Sequence, residues 1–315
     1  MLFLGVDGGK SSTTALIADE SGRVLGMGRG GPCNHVSGAE ARAKFLGAMA
    51  ETLAAACAHA GLDAAAVSFR AACLGFSGES YDKSDLVREA IRAEAFFMTN
   101  DAVIALAGAT AGAPGIITNA GTGSISVGKN AAGKRARSGG WGYIFGDAGS
   151  AFDLTRQALQ AMLRNEEGWG PETVLMRLLL EETGAASANE LLHRMYTAEF
   201  PRPRVASLAK LVDHAAQLGD AIAIDILRRA AQDLALITAA VRGQLFAEGE
   251  PLRIAYIGGV FRSDLLRARF SELAALDDGA EVGPPTYGPA AGALLEAFRL
   301  ADLNVTLSEV PAEKL

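Results

Sequence analysis

The chain has 315 residues, half of them hydrophobic and 21% charged, with alanine and glycine abundant; that length and apolar content predict two domains with sizeable cores. Its 29 basic and 36 acidic residues give a net charge of −7, which argues against nucleic acid or an anionic membrane as a general partner. The N-terminus carries no basic region and its apolar start breaks at Asp7, so no secretory signal is expected, and no apolar run approaches the roughly 18 residues of a membrane span. The three cysteines, Cys33, Cys57 and Cys73, lack C-x-x-C spacing, and the four histidines, His35, His59, His193 and His214, lack H-x-x-x-H pairing. Reduced thiols in a cytoplasmic protein are the expectation, with neither a disulfide framework nor a histidine metal site.

Leu2 to Val6 runs into Asp7-Gly8-Gly9-Lys10-Ser11-Ser12, and Thr13 to Ala18 resumes an extended pattern. This predicts a strand, a polar turn and a returning strand. A Walker A loop is excluded, because it would need a glycine where Leu4 stands and a helix after the turn. Two readings fit the turn. In one, Gly8 and Gly9 bring backbone N–H groups close to a phosphate, Ser11 adds a donor and Asp7 holds a hydrated Mg²⁺. In the other it is a plain hairpin with a solvated aspartate, and Lys10 likewise reads as a solvated charge or a phosphate contact.

Val24 to Met27 is a third predicted strand, followed by a glycine-rich loop over Gly28 to Gly38 that holds Asn34. A helix is expected from about Ala39 to Ala60, a strand from Val67 to Phe76, a helix from Asp85 to Glu94, a short strand from Ala95 to Met98 and a helix from Ala102 to Ala109. Ala111-Gly112-Ala113-Pro114 has hinge composition, and after it the pattern restarts as an internal repeat. Gly115 to Asn119 and Ile125 to Gly128 are strands about a Gly121-Thr122-Gly123-Ser124 turn, with Asn130 to Gly133 leading into a third. Helices are expected at about Ser150 to Arg164, Pro171 to Glu182, Asn189 to Thr197, Arg204 to Leu218 and Asp220 to Glu248. Leu252 to Ile257 is a strand ending in Gly258-Gly259, and Ser263 to Ala275 and Gly288 to Ala301 are the closing helices. The predicted fold is α/β: two β-β-β-α-β-α-β-α domains, residues 1–113 and 114–315, with an interdomain cleft and with the last helix packing back on the first domain.

Polar clusters at strand ends are the candidate functional positions, because strands deliver rigidly held side chains to a sheet edge. Gly121 to Ser124 is an anion contact or a plain hairpin turn. Asn100-Asp101 can cap the helix at Ala102, while Asp101 at a strand end can also accept a hydroxyl proton in phosphoryl transfer. Trp141 is a core residue or a stacking surface, Asp147 is an N-cap for the helix near Ser150 or a ligand contact, and Asn34 between Pro32 and His35 has turn composition.

Taken together, Asp7-Gly8-Gly9 with Ser11, the loop asparagine Asn34, Asn100-Asp101-Ala102, Gly121-Thr122-Gly123-Ser124, Gly139-Gly140-Trp141-Gly142, Gly146-Asp147-Ala148-Gly149-Ser150, Gly258-Gly259-Val260-Phe261 and the final Pro289-x-x-Gly292-Ala293 resemble the BadF/BadG/BcrA/BcrD group of the actin-like (ribonuclease H-like) ATPase fold, on its N-acetylglucosamine kinase side. The likeness covers residues 2 to about 300, and the stretch from about 165 to 245 carries no motif.

The resemblance implies an ATP-dependent amino-sugar kinase that phosphorylates the 6-hydroxyl of N-acetylglucosamine or a close relative such as glucosamine or N-acetylmuramic acid, with ATP and Mg²⁺ as cofactors and a homodimer as assembly. It implies Asp7 as the Mg²⁺ carboxylate through water, and Gly8, Gly9, Lys10 and Ser11 as the first phosphate loop. Thr122, Gly123 and Ser124 become the second, with Gly258 and Gly259 near the adenosine. Asn34, Gly140, Trp141 and Asp147 would hold the sugar, and Asp101 would be the general base. Two departures stand out: Lys10-Ser11 replaces the usual glycine and threonine, and Ala148 stands where a glutamate is usual. Competing functions are an ATPase that activates a redox partner through a cluster shared at a dimer interface, and a non-catalytic sugar-sensing binder. The first needs interfacial cysteines, and retention of Asp7, Asp101 and both loops speaks against the second.

Overall fold

In the computed structural model, which describes residues 1–9, 11–33, 40–76, 83–276 and 278–313, the chain forms two compact units, Met1–Ala113 with Pro285–Leu315, and Pro114–Pro284. In the first, Leu2–Gly8 (β1) and Thr13–Asp19 (β2) make an antiparallel hairpin with Gly8 opposite Thr13, so the polar turn joins two strands. Val24–Gly30 (β3) continues the meander beside Ala41–Ala60 (α1), and Phe69–Phe76 (β4) and Ala93–Asn100 (β5) extend the sheet in the order β3-β2-β1-β4-β5. Both β1–β4 and β4–β5 pair in parallel.

Both faces of this sheet are covered, which explains the unbroken apolar run of β1. Leu4 and Val6 join Phe45, Met49 and Leu53 of α1 in one core. Phe3 faces the other way, among Ile104 of Asp101–Ala109 (α3) and the buried residues of Pro289–Leu300 (α4), and its ring stacks on Phe298 at 4.1 Å. This closing helix comes so near its neighbours that glycine is needed. A Cβ on Gly292 would strike the Ile104 carbonyl and the Gly108 backbone, and one on Gly5 would strike the Ala290 carbonyl and Leu294 nitrogen.

Two predicted boundaries in this unit shift. The third strand runs to Gly30 instead of ending at Met27, because Gly26, Gly28 and Gly30 present a bare face on which the α1 backbone rests. The helix predicted through Glu94 is Ser84–Ala90 (α5), since β5 already begins at Ala93, which pairs with Phe69 of β4.

The second unit repeats the plan. Gly115–Ala120 (β6), Ser124–Lys129 (β7) and Arg135–Gly139 (β8) form the meander, and Leu252–Ile257 (β9) pairs in parallel with β6. A short strand that the sequence pattern does not reveal, Ala280–Gly283 (β10), completes the order β10-β9-β6-β7-β8. Between β8 and β9 lie Ala151–Glu166 (α6), Leu175–Thr183 (α7), Ala188–Met195 (α8), Arg202–Ser207 (α9), Lys210–Gln217 (α10) and Ala221–Leu245 (α11). The single helix predicted over 204–218 is thus two, α9 and α10, the first starting earlier because Pro203 is tolerated in a first turn. Asp264–Ala274 (α12) follows β9. Among the described residues no helix is long and apolar enough to cross a membrane.

Gly292→Ala is expected to destabilise the protein by about 1–3 kcal/mol through overpacking. Gly47→Ala, at an exposed helical site where an added Cβ meets nothing, is expected to stabilise it by up to about 1 kcal/mol. Urea unfolding of both variants checks the pair.

Candidate active site

Parallel pairing sets Asp7 beside Gly75 and Gly75 beside Thr99, so the carboxyl ends of β1, β4 and β5 share one edge. There Asn100 caps α3, its side-chain oxygen accepting from the Val103 N–H at 3.0 Å. Capping therefore falls to Asn100, and Asp101 is the first helical residue with an exposed side chain. On the hairpin, the Gly9 N–H donates to the Ser12 carbonyl at 3.0 Å and Ser11 is exposed. Gly8 is backed by the Phe76 ring and the Cys33 sulfur, which a Cβ would meet at 2.5 and 2.6 Å.

Burial pushes the Asp7 carboxyl up to about 6, and the carboxylates of Glu313 and Asp101 push it the same way. Glu313 is a residue that no sequence motif points to. It accepts hydrogen bonds from the Ala290 and Ala291 N–H groups at 2.9 and 3.0 Å, at the start of α4. Burial raises its own pKa against those two bonds and Arg29. An aspartate pressed by burial and by two further carboxylates is a donor suited to a cation. Among the described residues no group of three His, Cys, Asp or Glu side chains converges as a metal site.

In the second unit the Gly121 N–H donates to the Gly123 carbonyl at 2.9 Å, and Thr122 projects exposed from that turn. Ser124 is buried, with its hydroxyl donating to the Ala148 carbonyl at 2.7 Å and its N–H to Asp147 Oδ1 at 3.3 Å. Asp147 is itself 4% exposed, holds a left-handed backbone at φ 59°, and pairs with Arg202. It does not cap the following helix; Ser150 does, accepting from the Asp153 N–H at 3.2 Å. Asp147 thus ties the loop to Arg202, which lies in the stretch without motifs and escaped the sequence reading. Gly140 (φ 73°) donates its N–H to the Ser124 carbonyl at 2.9 Å. Trp141 is not core: it is 66% exposed, with the Arg137 guanidinium 4.8 Å from its ring centre.

Gly258 follows β9 at φ 106°, where a Cβ would lie 2.8 Å from Asn119 Oδ1 and would overlap the Ala120 carbonyl. The end of β9 thus sits beside the turn that begins at Gly121. A cavity of about 360 Å³ adjoins it, lined by Leu154, Lys210, Asp213, Leu227, Gly259 and Arg262 among others. Lys10 and Asn34 lie outside the described residues.

Two sheets of this order, each with a glycine turn at the end of its first strand, define an actin-like α/β fold. The pattern of the BadF/BadG/BcrA/BcrD ATPase family matches residues 4–297, and the chain belongs to that family. It is 33% identical over 265 residues to an N-acetylmuramic acid/N-acetylglucosamine kinase of Clostridium acetobutylicum, covering 82% of this chain and 85% of that one. It is 30% identical to an N-acetyl-D-glucosamine kinase of Dictyostelium discoideum, over 94% of this chain and 98% of that one. A solved structure of a candidate N-acetylglucosamine kinase from Chromobacterium violaceum superposes with a TM-score of 0.68 at 28% identity, over 93% of this chain and 98% of that one.

Because the folded-state value for Asp7 lies above its ordinary 3.8, its ionised form costs stability at pH above about 6, and that cost fades as pH falls toward 3.8. Asp7→Asn is therefore expected to stabilise the metal-free protein at pH 8 by up to about 3 kcal/mol, and by a fraction of that at pH 4. Thermal unfolding at the two pH values, with chelator present, measures this.

Proposed function

We propose that this protein is an ATP-dependent amino-sugar kinase that transfers the γ-phosphoryl group of ATP to the 6-hydroxyl of N-acetylglucosamine or a close relative. The observation that carries the reading is the nearness of Asp7 and Asp101 at one sheet edge, on a chain whose relatives include kinases of such sugars. On this reading Asp7 would hold a hydrated Mg²⁺, which when bound offsets the charge of the β- and γ-phosphates. In the second unit the exposed Thr122 hydroxyl is a donor of the kind phosphate oxygens accept from, as is the exposed Ser11 hydroxyl in the first, and the cavity beside Gly259, with apolar and charged side chains in its lining, has the size for a nucleoside.

Asp101 acts as the base. Its carboxylate takes the proton from the sugar hydroxyl as that oxygen bonds to the γ-phosphorus and the bond to ADP breaks. Exposure at the head of α3 leaves the carboxylate in reach of a substrate, while Asn100 carries the capping duty that would otherwise draw it into the helix. Partner activation through a shared cluster is disfavoured, since Cys33, Cys57 and Cys73 are all buried.

ADP release with Mg²⁺-ATP is expected to rise far above the sugar-free rate with N-acetylglucosamine, glucosamine or N-acetylmuramic acid, and little with glucose. Asp101→Asn is expected to lower kcat about 10²–10⁴-fold with KM for sugar little changed. Near wild-type turnover in that variant would remove Asp101 from the role of base.

A further inference from the structure

Arg202 opens α9 in the helical stretch that carries no recognised motif, yet its guanidinium reaches the turn at the end of β6. A Cβ on Gly123 would lie 2.7 Å from Asp147 Oδ2 and 2.9 Å from Arg202 Nη2. Gly123 is not among the residues with positive φ, so the requirement for glycine there is one of space. The side chain it lacks would occupy the place of the Asp147–Arg202 pair. Gly121, by contrast, would meet only Asn119 Oδ1, at 3.9 Å.

The pair leaves donors over. Arg202 gives Nη2 to Asp147, while its Nε is buried and has no hydrogen-bond partner. The guanidinium lies 5.2 Å from the centre of the Tyr143 ring, which orients its plane without using a donor, and its side chain is 37% exposed. A guanidinium carries five N–H donors in a rigid fork suited to phosphate oxygens. One carboxylate, whose second oxygen already accepts from the Ser124 N–H, does not exhaust them.

We propose that Arg202 is a further phosphate-binding residue of this protein: held against Gly123 by Asp147, it donates hydrogen bonds to the nucleotide phosphates seated on the Thr122–Ser124 turn. Asp147 then acts as its positioning residue, and the half-buried ion pair is the resting state of a group whose working partner is an anion. This inference rests on reading Thr122–Ser124 as a phosphate loop. The competing reading is that Arg202 only neutralises the buried Asp147 carboxylate.

Isothermal titration with ATP, ADP and adenosine separates the two. Arg202→Met is expected to weaken ATP and ADP about 10- to 100-fold, the worth of lost hydrogen bonds to a charged group, with adenosine affinity unchanged and Arg202→Lys intermediate. Adding Asp147→Asn to Arg202→Met removes the unpaired carboxylate and is expected to leave the loss in place. Recovery of ATP affinity in that double variant would make Arg202 a counter-ion and overturn the proposal, as would wild-type ATP affinity in Arg202→Met itself. Absence of any ATP binding by the wild-type protein would instead overturn the phosphate-loop reading, and this inference with it. The double variant carries no unpaired buried charge, so it also stands in if Arg202→Met alone fails to fold.

Discussion

Parallel pairing of β1 with β4, and of β6 with β9, is the constraint on which the candidate site depends. It aligns the carboxyl ends of strands far apart in sequence, so that Asp7, Asn100 and Asp101 share one edge and the Gly121 turn lies beside Gly258 on another. Such pairing needs crossover helices, and those helices bury both faces of each sheet. The apolar run of β1 and the close approach of α4 at Gly5 are the packing consequences, and the polar residues are left only at the strand ends.

The two edges handle charge in opposite ways. At the first, Asp7 is partly desolvated among carboxylates and rests above its ordinary pKa. Keeping an ionised carboxylate there costs stability, a trade common at functional sites. At the second, Asp147 is buried but compensated, by Arg202 and by a backbone N–H of the loop it braces. Its positive φ and the neighbouring Gly140 and Gly142 shape a loop whose exposed aromatic side chains include Trp141 and Tyr143.

The fold was largely legible because buried strands and glycine turns have short-range signatures. Leu2 to Val6 before Asp7 and Gly115 to Asn119 before Gly121 repeat one pattern, and the repeat foretold two similar sheets. What escaped depends on contacts distant in sequence. Gly28 and Gly30 read as loop because only the α1 backbone above them makes a strand there sensible. β10 escaped because a four-residue edge strand has little periodicity of its own. Of the candidate residues, Asp7 and Asp101 in the first unit and Thr122 and Gly258 in the second stood at the ends of readable strands. Arg202 and Glu313 did not: each is one charged residue among many, and its place against Gly123 or the start of α4 exists only once the chain has folded. The burial of Asp147 and Ser124 was equally invisible, because hydroxyls and carboxylates in glycine loops look the same whether they face a ligand or brace the loop.

The most direct test of the account is a ³¹P spectrum, without proton decoupling, of N-acetylglucosamine incubated with the protein, ATP and Mg²⁺. A phosphomonoester signal split into a triplet by the two protons on C6, growing as the γ-phosphate signal falls, is the predicted result. Release of inorganic phosphate alone, at a rate indifferent to sugar, would contradict it and mark the chain as an ATPase with another purpose.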